Sequence, residues 1–206
     1  MKRRIFIAIQ VPEEVKDKAE HYLEPITEHQ KMDITSLLKM KSHKINIPKR
    51  KGWHVTVVFC GYLYETEIDE LRKIVENVAS KFTAFSFSPQ KIIFSPPNRP
   101  RMIWLNFGFS PQFANLKKQI EDAISNCQNH GFFENFKPEM RKPNPHLTLG
   151  RFEEDKFFLF KNFIPREGID LTKEMKPFFV EHIDIMESRL SRAGAEYEVV
   201  SKVILK

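Results

Sequence analysis

The tetrapeptide His54-Val55-Thr56-Val57 recurs as His146-Leu147-Thr148-Leu149, in each case histidine, apolar, threonine, apolar. With seven histidines and seven threonines among 206 residues, 41% of them hydrophobic, chance supplies only about 0.04 such tetrapeptides. The period of two marks both as strands. Successive strand side chains point to opposite faces, so His54 and Thr56 share one face while Val55 and Val57 share the other, and His146 and Thr148 repeat the arrangement. Strands of this kind lying side by side bring two imidazoles and two hydroxyls into one small volume, each pair backed by a packed apolar face.

The rest of the chain reads as alternating elements. Residues 4–11 form a first strand, and Pro12 stands where a helix can begin, with Val15, Ala19, Tyr22 and Ile26 on one face. Residues 27–50 lack clear periodicity and read as a long loop or insertion. Thr66 with Asp69 resembles a capping box ahead of Ile68, Leu71, Val75 and Val78, which predicts a helix over about 66–80. Two strands follow, in "AFSFSPQKIIF" and "RMIWLNF", separated by the turn-rich "SPPNRP". Pro111 opens another helix, with Phe113, Leu116, Ile120, Ile124 and Cys127 on one face and Gly131 placed to end it. "NPHLTLGRF" is a strand, "KFFLFKNFI" a helix or irregular segment, and "FFVEHIDIMES" and "AEYEVVSKVIL" a strand pair joined across Arg192 to Gly194. The order predicts an α+β fold with mostly antiparallel sheet.

The residue set selects a chemistry. An imidazole with an ordinary pKa of about 6.5 serves either as general base or as general acid near neutrality. Threonine hydroxyls can hold the non-bridging oxygens of a tetrahedral anion. In-line phosphoryl transfer needs one group activating the nucleophile and another protonating the leaving oxygen on the far side of phosphorus. Neither tetrapeptide has a second ligand at metal spacing. A Gly-x-Ser-x-Gly signature and a glycine-rich phosphate loop are both absent.

The paired tetrapeptides resemble the signature of the 2H phosphoesterase superfamily. "RRIFIAIQVPEEV" at the start, "FCG" after the first motif and "MESRLSRAGAEYEVV" near the end resemble its LigT-like branch, the RNA 2′,3′-cyclic phosphodiesterases also called 2′-5′ RNA ligases. The resemblance implies a single bilobal domain over 1–206, with two pseudo-symmetric lobes, each holding a small antiparallel sheet flanked by helices, around a central cleft. It implies metal-independent and cofactor-independent hydrolysis of a 2′,3′-cyclic phosphate, at RNA ends or in cyclic nucleotides, to a 2′-phosphate, with reversible 2′-5′ ligation open to the same site. By resemblance His54 is the proton donor to the leaving 3′ oxygen and His146 the proton acceptor that activates water. Thr56 and Thr148 match the phosphate-binding threonines, and Arg151 matches the arginine that often follows the second motif. The segment before His54 is longer than usual for the branch, and residues 27–50 do not match it well. A non-catalytic RNA-end or nucleotide binder, and a phosphodiesterase for another small cyclic phosphate or a 2′-5′ linkage, are the competing readings.

Charge and composition are compatible with an RNA partner. The net charge is +6, from 33 Lys plus Arg against 27 Asp plus Glu, and a basic excess favours polyanions. Lys39, Lys41, Lys44, Lys49, Arg50 and Lys51 cluster ahead of the first motif, as a solvated loop or an RNA-contacting surface. Cys60 and Cys127 form no Cys-x-x-Cys pair and read as reduced thiols. No apolar run approaches the roughly 20 residues of a membrane span, and the N-terminal apolar stretch runs into "PEE" without a cleavage site, so the expectation is a cytoplasmic monomer. Phe59 and Phe152, just past the motifs, are expected to pack in the core, with stacking on a base as their alternative use.

Overall fold

The chain is described by a computed structural model covering residues 1–32, 45–191 and 194–206. Ten strands are present among these residues: β1 (Arg3–Gln10), β2 (His54–Leu63), β3 (Phe85–Phe87), β4 (Pro89–Ser95), β5 (Met102–Phe107), β6 (His146–Arg151), β7 (Ile169–Asp170), β8 (Phe178–Val180), β9 (His182–Ser191) and β10 (Gly194–Ile204). Five α-helices accompany them: α1 (Glu13–His21), α2 (Glu24–Met32), α3 (Glu65–Ala79), α4 (Pro111–Gln128) and α5 (Phe157–Phe160). Short 3₁₀ turns lie at Arg50–Gly52 and Glu154–Lys156.

Eight strands form one antiparallel sheet in the order β10-β9-β1-β2-β6-β5-β4-β7, and β3 pairs with β8 apart from it. The α+β expectation holds. The two small sheets it foresaw are the four-stranded halves β10-β9-β1-β2 and β6-β5-β4-β7, joined through the single pair Val55↔Leu147. That junction is the pair of motif strands. β1 is buried from Ile5 to Ile9, on both faces, as a central strand flanked by β2 and β9 must be. Helices α3 and α4 pack on each other, α4 against β2 and α3 against β10, and one hydrophobic core runs through both halves.

Several local expectations are revised. The helix beginning after Pro12 does not run through Ile26. It ends at His21, and a second helix starts at Glu24, because Pro25 has no N–H to donate to the preceding turn. Val15, Ala19 and Ile26 are buried nonetheless. α2 occupies the first part of the presumed loop over 27–50. Residues 33–44, including Lys39, Lys41 and Lys44, lie outside the described residues, and from Ile45 onward the chain is ordered against the second half-sheet through the bridge Asn46↔Arg151. The cap of α3 lies two residues earlier than Thr66 and Asp69 predicted: Glu67 Oε2 accepts from the Tyr64 N–H at 2.7 Å. The same carboxylate accepts from Phe133 N at 3.1 Å and so ties α3 to the segment after α4.

Candidate active site

Both motif strands alternate as their sequences require. His54, Thr56, His146 and Thr148 are half-buried, whereas Val55, Val57, Leu147 and Leu149 are buried. With Val55 opposite Leu147 in an antiparallel pair, position 54 lies on the side of 148 and position 56 on the side of 146. Each histidine therefore stands toward the other strand's threonine. All four side chains, with Arg151, line one cleft of about 680 Å³.

The two imidazoles are held in the same way. His54 Nδ1 lies 2.7 Å from the Gly52 carbonyl oxygen, and His146 Nδ1 lies 2.8 Å from that of Asn144, in both cases two residues back along the chain. A carbonyl only accepts, so Nδ1 carries the proton and donates, which leaves Nε2 in each ring as the nitrogen free for chemistry. Ring packing completes the restraint. His54 is wedged between Phe6, with centroids 4.8 Å apart, and Tyr197, at 5.0 Å in an edge contact. His146 stacks on Trp104 with centroids 3.7 Å apart and planes 18° from parallel.

Burial disfavours the imidazolium at both positions. His54 is pulled down to about 4, chiefly by desolvation, which outweighs an upward pull from the Gly52 carbonyl and is helped slightly by the proximity of His146. His146 is lowered by desolvation and by the Arg151 guanidinium, with the Asn144 carbonyl opposing. Among the described residues neither threonine hydroxyl is engaged in a hydrogen bond, so both remain available to an anion in the cleft. Arg151 is exposed and donates to Met102 Sδ at 3.5 Å. No group of three or more His, Cys, Asp or Glu among the described residues is placed to hold a metal ion.

Strand pairing also brings in residues that the sequence reading overlooked. Arg4 and Tyr197 line the cleft from β1 and β10, and Arg4 donates to Ser188 at 3.3 Å. The face of Trp104 is legible in the alternation of Met102, Trp104 and Asn106 with the buried Ile103, Leu105 and Phe107, but its pairing in register with Thr148 is not. Lys117 and Glu121 of α4 reach the cleft as an ion pair in which each residue is only 8% exposed. Of the basic cluster before the first motif, Arg50 is drawn away by Glu13, Asp17 and Glu20, and Lys49 pairs with Glu196 at 3.0 Å. Lys49 and Arg50 thus enter intramolecular ion pairs.

The expectation for the two phenylalanines divides. Phe152 is core, as predicted, but Phe59 is 65% exposed and lines the cleft. Strict alternation would put residue 59 on the apolar face with 55 and 57. A register shift against β1, where Ile7 faces Val58 and Ala8 faces Thr56, leaves Val57 as an extra residue. Val57 and Val58 are consequently both buried, and Phe59 emerges on the face of His54.

The fold and the site define an α+β protein of the two-histidine phosphoesterase class, with one His-x-Thr strand from each half-sheet. The chain belongs to the 2′-5′ RNA ligase superfamily, whose family model matches residues 20–191. It is similar to a protein of Methanocaldococcus jannaschii named RNA 2′,3′-cyclic phosphodiesterase, with 27% identity over 97% of this chain and 99% of that one. A Thermotoga maritima protein of the same name is 26% identical over 96% of this chain and 92% of its own. Among solved structures, TT0787 of Thermus thermophilus superimposes with a TM-score of 0.72 at 18% identity, covering 98% of this chain and 97% of that one. LigT of E. coli complexed with 3′-AMP superimposes at 0.68 and 16% identity, covering 100% and 99%. At these identities the structures establish the shared fold. No helix among the described residues is long and apolar enough to cross a membrane.

Proposed function

We propose that this chain hydrolyses the 2′,3′-cyclic phosphate at RNA ends, and in cyclic nucleotides, to a 2′-phosphate by paired histidine acid–base catalysis that needs no metal. The observation that carries the reading is the mirrored anchoring of the two imidazoles, each donating through Nδ1 to the carbonyl two residues back and each leaving Nε2 free on a common cleft. The names of the full-length relatives agree with it.

In the reaction, His146 Nε2 accepts a proton from water as its oxygen attacks phosphorus. His54, protonated at Nε2, donates to the 3′ oxygen as the P–O3′ bond breaks, and the phosphate remains on the 2′ oxygen. Thr56, Thr148 and Arg151 hold the non-bridging oxygens, and Arg151 adds a forked cation to the charge they carry. With a 5′-hydroxyl in place of water as the nucleophile, the same two proton transfers form a P–O5′ bond as the P–O3′ bond breaks and join RNA ends through a 2′-5′ bond; run backwards, they cleave that bond and restore the cyclic phosphate. The protein acts as a monomer in the cytoplasm, a state that sedimentation equilibrium checks. Incubation with 2′,3′-cyclic nucleotides and with cyclic-phosphate RNA in the presence of a chelator tests the reaction. The expected product carries a 2′-phosphate. Absence of turnover with tight 2′-phosphate binding identifies a binding protein instead, and exclusively 3′-phosphorylated product overturns the assigned leaving group.

A further inference from the structure

A second groove, of about 440 Å³, adjoins the cleft and shares Lys142, Pro143 and Asn144 of its wall. Asn106 lines it, and its amide donates to Asn144 Oδ1 at 2.7 Å. Phe109, in the connection between β5 and α4, is 64% exposed beside it, and Lys142 Nζ lies 5.2 Å from the centre of that ring. Gln90 and Lys91 of β4 complete the lining. Among the described residues Lys142 has no carboxylate in salt-bridge contact, whereas Lys91 stands opposite Asp170 across the β4–β7 pair and helps hold that carboxylate below its usual range without a direct ion-pair contact.

A single exposed phenylalanine is ordinary. Here the ring is joined to the Lys142 ammonium, to Lys91 at the far wall and to a row of amides, which together match one nucleotide: an aromatic face for the base, cations for the phosphate and amides for the base edge or sugar. The wall is also fixed in advance. Glu121 Oε1 accepts from Glu139 N at 3.1 Å, and Gln128 donates to the carbonyls of Phe133 and Phe136 at 2.8 and 3.0 Å. These contacts tie the strap leading to Lys142 to α4. Lys142, the cation common to both spaces, stands where a phosphodiester joining their occupants has to pass.

We infer that this groove seats the nucleotide on the 5′ side of the one bearing the cyclic phosphate, so that the preferred substrate is an RNA strand end and not a free cyclic mononucleotide. The inference rests on the proposed activity, and it is tested by an arm that needs turnover and one that does not. In the first, kcat/KM for a uridine trinucleotide ending in a 2′,3′-cyclic phosphate is compared with that for uridine 2′,3′-cyclic phosphate. The trinucleotide is expected to be favoured by about ten-fold or more, within what one base stacked on an aromatic ring supplies. Phe109→Ala and Lys91→Ala should each reduce that ratio while leaving the mononucleotide value unchanged. Equal kcat/KM values, or variants that lower both substrates alike, overturn the inference.

In the second arm, binding of a 5′-fluorescein-labelled uridine trinucleotide ending in a 2′-phosphate is followed by anisotropy. Phe109→Ala should weaken it about ten-fold, and Lys91→Ala should reduce the dependence of log K on log salt by about 0.7. Unchanged binding in both variants removes the groove from the substrate path. Competition by a polyglutamate peptide as strong as that by unlabelled trinucleotide shows a site for acidic peptides and overturns the nucleotide assignment. Failure of every cyclic phosphate to turn over strikes the proposed activity alone, since the binding arm still decides the groove.

Discussion

Changing pH perturbs the site where its electrostatics are most exposed to test. His54 stands at about 4 and His146 below the ordinary histidine value, chiefly because burial penalises their charged forms. Holding an imidazole near 4 in place of 6.5 corresponds to about 3 kcal/mol against its protonated form. At neutral pH the free protein therefore carries two neutral rings, whereas acid–base catalysis needs one of them charged. In the proposed reaction the difference is to come from the substrate. A phosphodiester monoanion about 4 Å from the ring, in an effective dielectric of about 20, contributes about 4 kcal/mol, slightly more than burial removes. Binding should thus return the donor histidine to the neutral range while the acceptor keeps its lone pair for water.

The sign of the effect differs between the two kinetic parameters. kcat/KM reports the free protein and falls on the acid side as the acceptor is protonated and on the alkaline side as the donor is deprotonated, so both limbs should lie below about pH 6.5. kcat reports the complex, and its alkaline limb should lie higher by about two pH units or more. The limbs belong to the pair, and exchanging the two roles gives the same profile, so the measurement tests the field in the cleft and not the assignment. Initial rates on a 2′,3′-cyclic nucleotide, taken from about pH 3.5 to about 9 at constant ionic strength, provide both profiles, and NMR titration of the imidazole C–H resonances reads the free protein directly. An alkaline limb of kcat/KM at pH 7 or above, or kcat and kcat/KM profiles that coincide, would refute the reasoning.

His54→Ala and His146→Ala should each lower kcat by about 10²–10⁴-fold with the far-ultraviolet circular dichroism unchanged, and full activity in either variant removes the role given to that residue. Gly52→Ala places a Cβ 2.5 Å from Tyr197 Cδ2, which must push that ring off His54, at a cost of about 1–3 kcal/mol in urea denaturation. Adding Tyr197→Ala should recover most of that cost, and strictly additive losses would contradict the steric account. Glu121→Ala leaves the Lys117 ammonium buried without its partner and the Glu139 N–H without an acceptor, so a loss of about 3–5 kcal/mol is expected. Replacing both members of the pair by Met and Leu should be far milder, and a double variant as unstable as the single one would show that packing, not the stranded charge, dominates.

The sequence reading reached as far as local periodicity allows. His54, Thr56, His146 and Thr148 were legible because an apolar-polar alternation over four residues states which side chains share a face, whatever the strand pairs with. Arg4, Trp104 and Tyr197 were not assigned, because they arrive through pairings between strands distant in the chain, and their own segments say nothing about which strand lies alongside. Phe59 shows the limit most sharply. Counting by twos from His54 sends it into the core, and it is a bulge at Val57, set by how β2 meets β1, that turns it outward beside Phe6. A bulge is a property of the strand pair, so parity can be carried along one sequence only to the first residue its neighbour fails to match. His54 and Thr56 precede that point and Phe59 follows it, which is why the same counting rule places the motif histidine and threonine on the cleft and loses the aromatic ring three residues after Thr56.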